Sequence, residues 1–232
     1  MCSVVGALCV NPSFTDFQLL RNIFNQSQIR GLHATGISYA KDGKVFTEKT
    51  PEKADNFQLN FPSYLDKDKN LALIGHCRYS TSDLNFNQPI STDELSVAHN
   101  GVITQEPAES WKQLYGYDCE TRNDTELLLK SILDGKNPLK KWENASIACC
   151  ELHPEGHIRF YRNGKRPLYF CRVKNNIFVS STADILKRAG ISEEIERAKP
   201  NVYYKADKSL CITEEDSGAT STDLQINYEI VK

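Results

Sequence analysis

Two stretches of this chain, CSVVGALCV (residues 2–10) and LALIGHCRY (71–79), are apolar on both of their alternating faces. A strand with one wet face alternates apolar with polar residues. A strand apolar on both sides must be covered on both sides. The chain therefore needs at least one sheet buried between two other layers, and 232 residues suffice to build it. Further strands are expected at TGISYA and KVFTEK around the turn KDG, and in SVAHNGVIT, read as a strand broken by an Asn100-Gly101 turn. ASIACCEL, HIRFYRN, PLYFCRV and NIFVSST read as four strands joined by tight turns, Gly164-Lys165-Arg166-Pro167 being one. NVYYKAD and SLCIT read as a final hairpin.

Helices fall between the strand groups. TDFQLLRNIFNQSQIR puts Phe17, Leu20, Ile23 and Phe24 on one side, with Thr15 or Asp16 as N-cap. NDTELLLKSILDG has capping-box spacing at Asn123 and Glu126 and a stop at Gly135. STADILKRAG ends at Gly190. Many strands with few helices, several strands buried on both faces, imply an α+β sandwich of two packed sheets with helices outside. No repeat or linker divides residues 2–232, so one domain is expected, with a polar, mobile tail over about 214–232.

The net charge of −2 gives no electrostatic reason to bind nucleic acid, and KNPLKKW is read as solvated surface. No apolar run has the length of a membrane span, and the opening stretch reaches Asn11-Pro12 too soon for a signal peptide. A cytoplasmic protein is expected. Its eight cysteines form no C-x-x-C pair and no clustered His/Cys spacing, so most are read as buried and reduced, with no metal.

Cys2 stands directly after an initiator methionine, which is generally removed before a small residue. A free N-terminal cysteine carries thiol and α-amine on one carbon, and the amine, with a pKa near 8, can serve as the thiol's own base. The plainer alternative is a cysteine starting a buried strand. In GHCRYST, Arg78 ends a doubly buried strand, where its planar fork suits a carboxylate unless it simply reaches solvent. In VAHNGVI, the Asn100 amide beside the Gly101 N–H offers two converging donors, as an oxyanion hole needs, although Asn-Gly is also a common turn. In RNDTELLL, Asp124 opens a helix, a favourable place for any acid or a receptor for a substrate ammonium.

Taken together, Met-Cys2, then R-G-x-x-x-x-G from Arg30 to Gly36, G-H-x-R-[YW]-x-T from Gly75 to Thr81, H-N-G at 99–101 and D-T-E at 124–126 resemble the class II glutamine amidotransferase domain of the N-terminal nucleophile (Ntn) hydrolases. The resemblance runs from Cys2 to about residue 190, where RNGKRPLYF and FVSSTADIL are similar to the closing hairpin and helix. It implies a four-layer αββα sandwich of two mainly antiparallel sheets. It implies that Cys2 attacks the side-chain amide of glutamine and forms a γ-glutamyl thioester, releasing ammonia. Asn100 and Gly101 would hold the oxyanion. Arg78, with Thr81, would bind the α-carboxylate, and Asp124, with the Gly101 carbonyl, the α-ammonium. Arg30, Tyr79 and His99 would support the site. No cofactor is implied. The partners are glutamine and a separate ammonia-accepting synthase subunit, since in well-known members a synthase domain follows; a homo-oligomer stays open, as does simple glutaminase action.

Three positions depart from the family pattern: His33 stands where an acid is usual, Tyr79 where many members carry Trp, and Ser82 where some carry His. Lys141-Trp142 and Cys149-Cys150 have no clear family role and are read as surface and core. Two other readings use the same residues: an N-terminal-cysteine amidase acting on another acyl-amide, and a non-catalytic regulatory module that keeps the fold and retains Met1.

Overall fold

The structure is a computed structural model and describes residues 2–79 and 87–220. In chain order its strands and helices are β1 (Ser3–Val10), α1 (Phe14–Ser27), β2 (Ala34–Lys41), β3 (Lys44–Thr50), β4 (Asn70–Arg78), β5 (Ile90–Ser91), β6 (Ser96–Val102), α2 (Trp111–Tyr115), α3 (Thr125–Leu133) and α4 (Pro138–Lys141). These are followed by β7 (Ser146–Leu152), β8 (Ile158–Arg162), β9 (Tyr169–Val173), β10 (Asn176–Ser180), α5 (Ala183–Ala189), β11 (Ile195–Arg197), β12 (Val202–Ala206) and β13 (Ile212–Asp216).

The strands form two antiparallel sheets. One runs β11-β9-β10-β1-β4-β2-β3 and the other β13-β12-β8-β7-β6-β5. Strand alternation sorts the apolar residues into three cores. Val4, Leu8 and Ile74 of the first sheet meet Ala98, Ala148, Cys150 and Phe160 of the second. On the outer face of the first sheet, Val5, Ala7, Cys9 and Leu73 pack on Leu20, Ile23 and Phe24 of α1 and Ile185 and Leu186 of α5. On the outer face of the second, Val97, Ile147 and Cys149 pack on Leu127 and Leu128 of α3 and on Trp142. Burying each of the larger side chains, such as Val, Leu, Ile or Phe, contributes about 1.5–3 kcal/mol. Three cores between four layers make the αββα sandwich, and they explain why β1 and β4 are apolar on both faces.

Several local expectations change. The α1 cap is Ser13, not Thr15 or Asp16. Ser13 and Asp16 form the reciprocal capping box, Asp16 sitting three residues into the helix. Asn100-Gly101 is not a turn: β6 runs straight through, Asn100 opposite Ala148 and Gly101 opposite Ile147. The residues Gly164–Pro167 do turn the chain, but they carry it from β8 in one sheet to β9 in the other, so the flanking strands do not pair. Asn123 and Glu126 make no capping box. The helix starts after Asp124, and Glu126 accepts hydrogen bonds from the preceding loop instead. Of the tail expected from 214 onward, residues through Asp216 belong to β13, and residues 221–232 lie outside the described ones. Among the described residues, no helix is long and apolar enough to cross a membrane.

Candidate active site

Both sheets contribute to one cavity of about 600 Å³. Cys2 enters at the start of β1, Arg78 and Tyr79 at the end of β4, Gly101 and Val102 at the end of β6, and Asp124 at the start of α3. β1 and β4 are antiparallel, with Ser3 opposite Cys77, so the start of one and the end of the other share one edge. Five of the residues singled out in the sequence, Cys2, Arg78, Tyr79, Gly101 and Asp124, line this space. Arg30, His99 and Asn100 stand behind its wall. Thr81 and Ser82 lie outside the described residues, as does Met1.

Cys2 is half-buried, its Sγ 3.8 Å from the Tyr79 carbonyl oxygen. Arg30 fixes the backbone behind it, its Nε donating to the Cys2 carbonyl at 3.1 Å. Arg30 reaches that position because Gly31 lies flat on β4: a Cβ there would sit 2.3 Å from the Cys77 carbonyl oxygen. Gly31→Ala is expected to lower the unfolding free energy by about 1–3 kcal/mol in a urea melt, because backbone, not a flexible side chain, must move. His33 follows. Its N–H donates to the Arg78 carbonyl at 3.0 Å and its ring packs on Tyr79, centroids 4.8 Å apart. In the place where an acid was expected, an aromatic contact props a tyrosine that is 52% exposed at the mouth.

Cys9, Cys77, Cys149, Cys150 and Cys171 are buried, and burial pushes their thiols up, Cys77 and Cys171 to about 12. They stay protonated at neutral pH. Half-buried Cys119 is also raised, to about 11, by burial and then by Glu126.

On β6 the side chains alternate. Asn100 is 5% exposed, and its Nδ2 has no hydrogen-bond partner among the described residues. A buried donor left unpaired costs about 1–3 kcal/mol. Gly101 follows at φ 153°, and a Cβ there would meet the Ser146 carbonyl oxygen at 1.8 Å, which leaves room only for glycine. Its neighbour Val102 donates its N–H to Ser146 Oγ at 2.9 Å. His99 points to the outer face and is bracketed by Thr125 Oγ1 at 3.4 Å and the Ser146 carbonyl at 3.0 Å, while its N–H donates to Gln88 Oε1 at 2.6 Å. Burial holds the His99 ring below its ordinary pKa, so it stays neutral and acts as a strut. His76, fully buried between the sheets below Arg78, is likewise pushed down, to about 3, by burial and then by Arg78.

Asp124 is held by the backbone. Its Oδ2 accepts from Ile103 N–H at 2.6 Å and Thr104 N–H at 3.4 Å. Glu126, 4% exposed, ties down the approach to it by accepting from Glu120 N–H, Thr121 N–H and Thr121 Oγ1 at 2.7–2.8 Å. The D-T-E run therefore combines a cavity carboxylate with a buried carboxylate that shapes the loop. Sequence reasoning missed the rest of the wall. Gln88 braces β6. Trp111 Nε1 donates to the Glu106 carbonyl at 2.8 Å, and an Arg122–Glu109 ion pair joins the two rim loops. These residues carry no motif, only positions set by tertiary packing.

The arrangement holds a thiol, a guanidinium and a carboxylate around one space, with the Asn100 amide behind its wall. A family model described as "Glutamine amidotransferase domain" matches residues 64–215, which includes Arg78, Asn100, Gly101 and Asp124 but not Cys2. Among solved structures, glutamine phosphoribosylpyrophosphate amidotransferase from B. subtilis, complexed with ADP and GMP, superposes with a TM-score of 0.74 at 22% identity, covering 95% of this chain and 50% of that one. A structure described as the allosteric regulatory enzyme of purine biosynthesis gives 0.75 at 22% identity over the same shares. The chain thus spans about half the length of these structures, and at this identity the likeness is one of fold. No curated protein sequence matches the chain.

Proposed function

The chain belongs to the glutamine amidotransferase domain family, as a class II enzyme of Ntn fold, and from that premise we propose that it hydrolyses the side-chain amide of glutamine with Cys2 as nucleophile. The observation that carries the proposal is the convergence of Cys2, Gly101, Arg78 and Asp124 on one cavity from four separate elements. Free glutamine is a zwitterion, and a pocket selective for it needs a cation and an anion at fixed separation. Arg78 and Asp124 supply them.

In this reading Met1 is removed and the Cys2 α-amine takes the thiol proton. Sγ adds to the amide carbon, and the oxygen takes the negative charge against Asn100 Nδ2 and the Gly101 N–H. Collapse breaks the C–N bond. The ammonium formed from the Cys2 amine returns its proton to the leaving nitrogen, and ammonia departs. Water then adds to the γ-glutamyl thioester and releases glutamate and the thiol. Arg30 holds the backbone of the nucleophile, and His33 with Tyr79 covers the mouth.

Ammonia released into water at neutral pH is protonated and lost as a nucleophile. We therefore assign the ammonia to a synthase domain or subunit that covers the cavity, and the site of action to a reducing, cytoplasmic compartment that suits eight free cysteines.

Two measurements test the reading. Glutamate release from glutamine should exceed release from N-acylated glutamine, which lacks the α-ammonium; preference for the acylated compound would replace glutamine with another acyl-amide. Asp124→Asn retains an oxygen for the Ile103 N–H but loses the charge. It is expected to raise KM for glutamine about 10- to 100-fold, the worth of a charge-assisted contact. Steady-state kinetics that leave KM unchanged would remove Asp124 from the ammonium site.

A further inference from the structure

A second cluster lies at the opposite end of the second sheet. β7 runs from Ser146, beside the cavity, to Leu152, and the chain turns there through His153-Pro154-Glu155-Gly156-His157 into β8. Seven strand residues rise about 23 Å, so this turn is remote from Cys2. The chain has no C-x-x-C pair and no clustered His/Cys spacing, and this His-x-x-x-His run contains no cysteine.

The turn is built rigidly. His153 N–H donates to the His157 carbonyl at 3.1 Å, and Gly156 N–H to the His153 carbonyl at 3.0 Å. Pro154 sets its own φ and Gly156 takes the left-handed position at φ 82°, so the two histidines face each other across the hairpin mouth. Their rings stack with centroids 4.2 Å apart. One ligand atom from each of His153, Glu155 and His157 lies within 4.8 Å of the others, and His157 Nδ1 is 3.8 Å from Glu155 Oε2.

Behind the turn stands Glu151, fully buried and held by Arg159 through two bonds of 2.8 and 2.9 Å. The same carboxylate lies 3.3 Å from His153 Nε2. An ionised carboxylate only accepts, so it keeps the imidazole proton on Nε2 and leaves the Nδ1 lone pair for a ligand. This is the outer-shell arrangement that metal-binding histidines generally have. Around the cluster the carboxylates Glu151, Glu155 and Asp207 outnumber the cations Arg159 and Lys205.

We propose that this hairpin binds a divalent transition-metal ion of the zinc class through His153 Nδ1, the Glu155 carboxylate and the His157 imidazole. Two imidazoles and one carboxylate suit zinc, cobalt or nickel rather than magnesium or calcium, which take oxygen. Bonds of about 2.0–2.2 Å require the ligand atoms to draw together by roughly 1 Å, and the ring stack opens as they do. A fourth position stays with water. The ion clasps the hairpin and adds stability by mass action, apart from the glutaminase site.

The test uses the full chain, stripped with EDTA, in a Cys2→Ser background, because an N-terminal cysteine can itself chelate metal. Cobalt(II) titration followed by visible absorption, with zinc competition, reads affinity and coordination. One ion per chain is expected, and zinc should raise Tm. Glu155→Gln touches a side chain that is 74% exposed, so its fold is safe. It and His157→Ala should each weaken binding at least about tenfold and abolish the Tm shift, as removal of even outer-shell partners costs that much. Parent-like affinity in Glu155→Gln, or no saturable binding at millimolar ion, overturns the site.

Discussion

Replacing Cys2 by alanine is expected to lower glutamine hydrolysis by at least about 10⁴-fold, because among the described residues no other group on the cavity wall carries a thiol. Arg78, Asp124 and Tyr79 on the wall are donors, acceptors or weak nucleophiles, and the remaining thiols whose pKa burial raises stay protonated. Alanine is also small enough for Met1 removal, so the α-amine is retained and the loss reports the thiol alone. Stability should change by less than about 0.5 kcal/mol, since Cys2 precedes β1, is only half-buried and makes one long sulfur contact. Glutamate release and a denaturant melt on one preparation check both halves. Activity within tenfold of the parent would place the nucleophile elsewhere.

Asn100→Ala should lower kcat about 10²- to 10³-fold, the usual effect of removing one oxyanion donor, and leave KM for glutamine nearly unchanged. Its effect on stability separates this role from a structural one. A buried asparagine that serves the fold has its amide satisfied, and truncation costs stability. Asn100 Nδ2 is unpaired among the described residues, so truncation removes a buried donor that costs about 1–3 kcal/mol, and this offsets the packing lost. The β6–β7 ladder is backbone and persists in alanine. Lost kcat with an unchanged denaturation midpoint is the expected pair. A large fall in stability with kcat retained would make Asn100 a core residue.

The strands could be read from sequence because burial on both faces leaves a pattern that only a covered sheet explains, as in β1 and β4. Sheet membership could not. The turn at Gly164–Pro167 looks like a hairpin in sequence, yet it crosses between sheets, because that choice depends on which strand edges remain open. Asn100-Gly101 shows the limit of turn chemistry: the dipeptide favours a turn, but pairing with Ala148 and Ile147 holds it extended, and glycine is there because the Ser146 carbonyl leaves no room for a Cβ. At the site, Cys2, Arg78, Gly101 and Asp124 were legible because each stands at the end of an element with a distinctive neighbour. Gln88, Trp111 and the Arg122–Glu109 pair were not, since only tertiary packing brings them to the wall. Glu126 was seen, but as a cap. Its role in holding residues 120 and 121 depends on a loop conformation that spacing does not encode.

The central claim is that a free N-terminal Cys2 is the nucleophile for glutamine. Intact mass and peptide mapping of the native chain, before and after exposure to a glutamine-analogue electrophile, test it most directly. The predicted result is a chain lacking Met1 that gains one adduct, mapped to Cys2 and suppressed by excess glutamine. A chain that retains Met1 and stays unlabelled, or an adduct on exposed Cys211 that glutamine does not suppress, would contradict it.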